Sequence, residues 1–546
     1  MLPSQLVAPT SRPTPDAHAT VPPERLAGDD ESAAQPDAAS DEPRVRPARV
    51  IVVGGFPALT KAAREVDQQL RGRTVSLREI QRAAAQLEGR YAAAGYPLAR
   101  VVVPPQRLAD DGPLTLRVVD GFIEDIVVDG VDAAMRAPVR KRLQPLVGVR
   151  SLTLAALERA VLLAGELPGL RLRSALVRGR QEGGVRLVVD GTHDPAAAQL
   201  RVDNALPKSF GRREANGTLS LNSPFGTGEQ WYAATAQAPR QDDSRPAALA
   251  SYGVGVMMPT PSIGTTVNLE YAWADTAPHT DAGTLATTAT YRRWSVRTTY
   301  ALVRRHDRRI DVQAGVDGIE QRLIASDFAV DLNRDHYGAL RLGWAGAFLL
   351  SRATSLQARL FADAGLGGRG DADVASSGVP LSRAGASSHF DKAGFESNLL
   401  STSANWQFDM RMRGQSAARP LLTPEGLSLA SPDTLSAFDA GTLNVDTGLV
   451  ARAQLGRRLA MPGTAEYAPG CLVYSFVGAG HGHVFDATAV QRASLDAVAA
   501  GVGLRLAYTR RPGQSLALNV EAATGHTNGG TPGRSSRIGL SLEAHL

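Results

Sequence analysis

The sequence predicts an α+β arm of two similar units, each β-α-α-β-β, followed by a sixteen-stranded antiparallel transmembrane β-barrel. Three observations predict it. Two helix-and-strand units of about seventy residues each follow one another over residues 49–191. From about residue 198 the helical period gives way to alternation at period two, which runs to the last residue. No stretch approaches the roughly 18 to 20 uncharged apolar residues of a spanning helix. The longest run, Ala155–Leu170, is interrupted by Arg159, Glu166 and Pro168. If this chain crosses a membrane, it does so with strands.

Composition bounds the reading. Of 546 residues, 43% are hydrophobic and 21% charged, which fits neither a disordered chain nor a helical membrane protein. Glycine is abundant at 54 and aromatic residues are sparse at 5%, a balance suited to a large β-structure. The net charge of +5 is small, and no basic run is interleaved with aromatics, so no nucleic-acid partner is expected. The single Cys471 cannot form an internal disulfide and excludes a multi-cysteine zinc site. Residues 1–48, rich in Pro, Ala, Asp and Ser, read as a disordered linker. The first thirty residues lack a basic start and an apolar core, so no signal peptide is legible. Export would then require a leader trimmed away or encoded upstream.

The arm follows in order. Val50–Val53 is a short strand. Ser76 opens a helix with Glu79 three residues on, the capping-box pattern. Leu77, Ile80, Ala84, Leu87 and Tyr91 recur at helical spacing and define a buried face, and Gly95 ends the helix. Leu98–Val103 and Leu114–Val119 are strands. The second unit repeats the order: strand Phe122–Val128, helix Ala137–Leu146, helix Thr153–Glu166, strands Arg171–Val177 and Gly184–Val189. In the second of those helices Leu154, Leu157, Val161 and Ala164 point inward, and Pro168-Gly169 breaks it.

In the remainder, apolar and polar residues alternate. Val267, Leu269, Tyr271 and Trp273 alternate with Asn268, Glu270, Ala272 and Ala274. The same holds around Leu356–Leu360, Leu449–Leu455, Val502–Tyr508 and Leu516–Ala522, with Arg359, Arg452 and Arg505 on the polar face. About sixteen such stretches fit between Gln199 and Leu546, roughly 22 residues per strand with its connection. Ile538, Leu540, Leu542, Ala544 and Leu546 alternate to the last residue, as expected of a closing strand.

Specific motifs add a resemblance. Residues 95–106 read Gly-Tyr-Pro-Leu-Ala-Arg-Val-Val-Val-Pro-Pro-Gln, and residues 111–121 end in Val-Val-Asp-Gly. They resemble the first POTRA domain of the two-partner secretion transporters, the TpsB or ShlB/FhaC/HecB family, within the wider BamA-like superfamily. Leu157-Glu158-Arg159-Ala160 with Leu167-Pro168-Gly169 resembles the second, ShlB-type domain. Val202-Asp203-Asn204 and Asn222–Glu229 resemble the first barrel hairpin. The resemblance implies POTRA 1 at 49–121, POTRA 2 at 122–191, and a barrel at 198–546 with a loop folded inward over about 414–442. It implies a monomeric pore in the outer membrane of a Gram-negative bacterium, in contact with its lipid, with the arm in the periplasm. Such a pore secretes an unfolded TpsA-type exoprotein and is not an enzyme. Capture by β-augmentation would use the edge of POTRA 2, at Arg171, Arg173, Ala175 and Val177, with Leu157 on the adjacent helix. An assembly insertase and a diffusion porin remain the alternatives, and the client is not named by the sequence.

The sequence departs from the family at its best-known motif. Where the inward loop should read Val-Arg-Gly-Tyr/Phe, this chain has Leu435-Ser436-Ala437-Phe438, followed by Asp439. The framework is present, with Leu421-Leu422-Thr423-Pro424-Glu425 before it and Asp446-Thr447-Gly448 after it. The barrel-wall partner, Phe-x-Asp-x-Gly in the family, reads Phe476-Val477-Gly478-Ala479-Gly480. Both members of the family's ion pair are thus missing together, which costs less than leaving one charge alone in a lumen. Either the loop is held differently, through Phe438 and Asp439, or the chain is a divergent or weakened transporter. The terminal aromatic residue of the family is replaced by Leu546. Its plug helix is not legible before the linker, where Pro3, Pro9, Pro13 and Pro15 interrupt the chain.

No cofactor or metal site is expected. His481-Gly482-His483 lacks a third ligand and reads as a strand end. Arg369-Gly370-Asp371 falls in the polar stretch 367–382 and reads as a loop. No phosphate loop, G-x-S-x-G or H-E-x-x-H motif occurs.

Overall fold

The computed structural model describes residues 44–238, 248–280, 283–462, 468–489, 491–511, 513–529 and 533–546. The linker and plug-helix expectations fall on residues 1–43, outside the described residues. Arg44–Val45 forms a short strand, β1, so ordered structure begins before residue 49.

The first arm domain holds β2 (Arg49–Val53), α1 (Thr60–Leu70), β3 (Val75–Ser76), α2 (Leu77–Ala93), β4 (Arg100–Val102) and β5 (Pro113–Val119). β1 pairs with β3, and the main sheet has the order β2-β5-β4 with β2 parallel to β5. The capping box forms: Ser76 Oγ accepts from the Glu79 amide at 3.3 Å, and the Glu79 carboxylate accepts from the Ser76 amide at 2.7 Å. Ile80, Ala83, Ala84, Leu87 and Tyr91 are buried over the sheet. Leu77 is not, at 37% exposure. It opens the helix, and a first residue has helical neighbours on one side only. Gln106 explains the Pro-Pro-Gln turn: its amide bonds both the N–H and the C=O of Thr115 at 2.8 Å, acting as an extra rung on β5.

Asp120-Gly121 is the hinge to the second domain. A Cβ on Gly121 would lie 2.1 Å from the Leu98 carbonyl oxygen, so only glycine fits. Asp120 accepts from the Ser151 amide at 2.8 Å and ties the domains together. The second domain holds β6 (Phe122–Asp129), α3 (Ala133–Leu143), α4 (Leu154–Gly165), β7 (Leu170–Arg178) and β8 (Gly184–His193). Its sheet repeats the first, in the order β6-β8-β7 with β6 parallel to β8. α3 starts earlier than its expected Ala137 and passes into a 3-10 turn at Gln144–Leu146, where Pro145 lacks the N–H that an α-helix needs. α4 is capped by Thr153 and buries Leu157, Leu163 and Ala164, while Leu154 and Val161 are half-buried.

The barrel opens with β9 (Ala196–Asp203), β10 (Glu214–Asn222), β11 (Gln230–Ala238), β12 (Leu249–Pro259) and β13 (Thr265–Thr276). It continues through β14 (Thr287–Arg304), β15 (Arg308–Ala325), β16 (Val330–Ser351), β17 (Thr354–Gly368), β18 (Asp391–Ser403) and β19 (Trp406–Ala417). After two short lumen strands, β20 (Leu427–Ser428) and β21 (Asn444–Val445), come β22 (Thr447–Leu459), β23 (Ala468–His483), β24 (Ser494–Arg511), β25 (Gln514–Thr527) and β26 (Arg534–His545). β9–β19 and β22–β26 pair with their neighbours antiparallel, and β26 returns to β9, closing a sixteen-stranded barrel. The closing ladder runs from Gln199↔His545 to Asp203↔Ser541 and is extended by paired bonds between Ala198 and Leu546. The 367–382 stretch is not all loop: α5 (Asp371–Ser377) begins at the aspartate of Arg369-Gly370-Asp371.

Alternation becomes two faces. Leu219, Trp231, Val254, Leu269, Trp294, Leu360, Val502 and Ile538 stand exposed on the outer wall, a belt that suits hydrocarbon. Asp317, Gln321, Asp335, Arg452 and Glu521 are buried on the inner wall. The arm docks at one end. Arg304 at the β14–β15 turn pairs with Glu166 at 2.6 Å and with Asp311 at 2.7 Å, and Arg159 of α4 donates to the Leu302 carbonyl at 3.1 Å.

Replacing Ser76 with alanine should weaken α2 locally by about 1 kcal/mol. Amide exchange at Glu79 should quicken roughly fivefold, while exchange in α4, which has its own cap, should not change.

Candidate functional site

The candidate site is the barrel lumen and the segment that enters it between β19 and β22. This segment bends inward because its two ends are tied to the inner wall by buried carboxylates. Glu425, 2% exposed, receives both arms of the Arg341 guanidinium at 2.7 and 2.8 Å. Lys392 Nζ at 2.8 Å and the Tyr337 hydroxyl at 2.8 Å complete its shell. Burial pushes the Glu425 carboxyl up, but the charges of Lys392 and Arg341 outweigh burial and hold it well below the usual carboxylate range. Arg341 also reaches Asp317 and Asp363, each at 3.0 Å, so the anchor continues into the wall. At the other end Asp446, fully buried, accepts from the amides of Leu421 at 3.0 Å and Phe485 at 2.8 Å and pairs with Arg383. Glu425 and Asp446 are the framework residues flanking the divergent motif.

Between these anchors the tip lies on glycines. A Cβ on Gly478 would stand 3.1 Å from Leu435 Cδ2, and one on Gly480 would stand 3.3 Å from Leu435 Cδ1. Leu435, completely buried, therefore fills the space in front of the position where the family carries its aspartate. Phe438 packs likewise on Gly525 of β25, where a Cβ would meet the ring at 2.8 Å. Ala437 is buried, and its carbonyl accepts from Ser535 Oγ at 2.6 Å. Asp439 pairs with Arg537 at 3.0 Å, and Arg537 also donates to the Phe438 carbonyl at 3.3 Å. Asp433 pairs with Arg411 at 2.5 Å.

Ser436 meets a different ion pair. Arg452 of β22 lies opposite Gly478 in the ladder, and its guanidinium sits 3.6 Å over the Phe476 ring. It reaches across β23 and β24 to Glu521 of β25 at 2.6 Å, with both side chains under a tenth exposed. Ser436 Oγ donates to Glu521 and accepts from Arg452 Nη1 at 3.1 Å. The Tyr474 hydroxyl donates to Glu521 at 2.8 Å. A buried arginine–carboxylate pair is thus present at the loop tip, with both charges on the wall and a serine bridging them. Sequence reading missed Arg452 and Glu521 as partners. Each has inward parity on an alternating strand, but only barrel register brings them together. It also missed Arg341, Lys392, Arg383 and Arg537.

In the arm, β7 is an edge strand with one sheet neighbour, β8. Arg171, Arg173, Ala175 and Val177 are exposed along it, and Arg171 pairs with Asp194. Leu157 is a correction. It is 5% exposed in the domain core, turned from any surface by the helix face that packs on the sheet. In the first domain, the corresponding edge strand β4 and helix α2 border a groove of about 570 Å³, lined by Ala84, Ala85, Glu88, Gly89, Val101 and Val103.

A closed sixteen-stranded barrel, a two-domain arm and an inward loop define an arm-bearing barrel with a loop folded into its lumen. A family profile described as "Haemolysin secretion/activation protein ShlB/FhaC/HecB" matches residues 183–506, more than half of the chain, and the chain belongs to this family. A second profile, "POTRA domain, ShlB-type", matches residues 47–121. The outer membrane transporter CdiB of Escherichia coli is 24% identical over 229 residues, 41% of this chain and 37% of that protein. The hemolysin transporter protein ShlB of Serratia marcescens is 32% identical over 154 residues, 28% of this chain and 26% of that protein. These alignments span about a third of the curated relatives or less. Among solved structures, CdiB from Escherichia coli superposes with a TM-score of 0.71 at 16% identity, covering 94% of this chain and 93% of that one. CdiB from Acinetobacter baumannii gives 0.62 at 15% identity, covering 93% and 90%. The fold is shared almost from end to end.

Arg452→Ala should strand Glu521 and loosen the tip by about 3–5 kcal/mol, whereas Arg452→Met with Glu521→Leu should cost less. Protease cleavage within residues 427–445 of the detergent-held barrel should be faster in the single variant than in the double. Ser436→Arg alone should mimic the loss by setting two guanidiniums together, and adding Arg452→Ser should reverse it. Gly478→Asp should not help unless Leu435 gives way. Equal cleavage of all these variants would show that the tip is held elsewhere.

Proposed function

We propose that the chain is an outer-membrane translocation pore of a Gram-negative bacterium that secretes a large, unfolded partner protein. Its arm stands in the periplasm, its outer belt contacts lipid, and the pore works as a monomer without a catalytic step. The observation that carries this reading is a two-domain arm docked at the mouth of a barrel with a loop folded onto its inner wall. A diffusion porin has no use for the arm, and family membership favours a secretion pore over an assembly insertase. The client is of the kind exported by the ShlB and CdiB transporters.

Capture rests on exposed sheet edges. β7 presents an open sheet edge and alternating side chains from Arg171 to Val177, and an extended client segment can add to it as a further strand. The groove between α2 and β4 offers a second surface of the same kind. Passage requires the tip to leave its seat. The tip is held by the Ser436 bridge, by Leu435 and Phe438 packed on wall glycines, by Ser535 on the Ala437 carbonyl, and by the Asp439–Arg537 and Asp433–Arg411 pairs, whereas the base at Glu425 is fixed by one carboxylate with two cations and a hydroxyl. Passage would have to release these tip contacts together.

Successive residues of a strand point their N–H groups to opposite edges. Of Ser174→Pro and Ala175→Pro, one should therefore leave the β7–β8 ladder intact while removing a client-facing donor. Co-expressed with a large exported protein encoded beside this gene, the intact chain should deliver that protein to the medium. The proline variant that keeps the fold should deliver at least severalfold less. Full secretion by both folded variants would overturn the β7 site, and no secretion by the intact chain would overturn the client assignment.

A further inference from the structure

We propose that the outer wall of β14–β16, at the end of the barrel far from the arm, binds the phosphate groups of a phosphorylated glycolipid in the outer leaflet. The proposal rests on reading the chain as an outer-membrane barrel. Ladder register places outward side chains in rows. One row includes Tyr271 and Trp294. The next row away from the arm runs Tyr252, Trp273, Arg292, Glu320, His336. The row beyond it runs Asp275, Thr290, Arg322, Arg334. Their strand neighbours Tyr291, Ile319, Gln321, Asp335 and Tyr337 are buried on the inner side, so these rows face out.

The charges do not cancel. Arg322 and Arg334 both donate to Glu320, at 2.9 and 2.8 Å, and their side chains stay 36% and 35% exposed. Arg292 is exposed and has no ion pair among the described residues. Arg292, Arg322 and Arg334 therefore stand against two carboxylates in these rows, Glu320 and the exposed Asp275, and one positive charge is left over. An outward arginine at the bilayer midplane costs about 2–4 kcal/mol, falling to about 0–1 near the interface, so this cluster marks headgroup level. Trp273, stacked at 5.2 Å on Tyr252 and 5.7 Å from Tyr271, lies where an interfacial aromatic belt belongs. Guanidinium forks match phosphate oxygens in geometry as well as charge.

An apolar seat adjoins the cluster. An outer-wall groove of about 560 Å³ is lined by Leu219, Trp231, Val254, Leu269, Trp294 and Val296. It exists because small Ala233 stands in the row between Leu219 and Val254. Trp294 forms its edge, two residues or about 7 Å along β14 from Arg292. Acyl chains in the groove would place a phosphorylated sugar beside the arginines.

The test uses the full chain in nonionic detergent micelles, with bisphosphorylated lipid A and its dephosphorylated form as probes, read by native mass spectrometry and tryptophan fluorescence. The phosphorylated lipid should bind at least tenfold more tightly. Arg322→Gln with Arg334→Gln should remove at least tenfold of that affinity. Arg457→Gln, an outward arginine at the arm end, should leave it unchanged. Heat-modifiable migration on gels checks that each variant is a folded barrel. Equal affinity for both lipids, or no loss in the double variant, would overturn the site. Insertion of the same preparation into vesicles separates the two readings: a chain that inserts without phosphate preference sinks this proposal alone, and one that fails to insert sinks both.

Discussion

The Arg341–Glu425 pair is the contact on which the lumen depends. A loop folded into a barrel excludes water from the charges it covers, and a covered charge is tolerated only with a partner. Glu425 arrives from the loop and joins the wall carboxylates Asp317 and Asp363 around Arg341 and Lys392, with the Tyr337 hydroxyl beside it. Without it, the two cations would keep only the carboxylates of the wall. With it, the loop base becomes part of the wall. The segment beyond is then aimed across the lumen by its root rather than by its tip.

The tip follows a different principle. The glycines at 478, 480 and 525 remove side chains from the wall, so Leu435 and Phe438 can lie against backbone. Apolar contact stands where the resemblance places a charge, and a buried ion pair lies beside it with both halves on the barrel wall, at Arg452 and Glu521. Ser436 is small because the guanidinium already occupies the place.

Most of the architecture was legible in the sequence because it is local. Ser76 and Glu79 cap a helix within one turn, and alternation such as Leu269-Glu270-Tyr271 sorts side chains to two faces without reference to any other strand. Leu77 marks the limit of that logic: the periodic pattern put it on the buried face, yet it lies in an end turn. For Leu157 the pattern held, since it is buried in the core, and the assignment to a partner surface did not. The pairing of Arg452 with Glu521 was not legible. It depends on how β22, β23, β24 and β25 are staggered around the barrel, and no single strand contains that information. The α5 turn was hidden by its polar composition. Arg369-Gly370-Asp371 looks like any loop until Asp371 and Asp373 are seen to open a helix.

The closing ladder between β9 and β26 carries a kinetic consequence. Gln199 and Glu543 bond across a sequence separation of 344 residues. Until β26 arrives, β9 and every growing sheet edge behind it remain open strands, each a template for pairing with a wrong chain. Contacts this distant also form slowly. Before it can act as a conduit, the chain must itself be kept from aggregating by something else, and it becomes safe only in the step that makes it a cylinder.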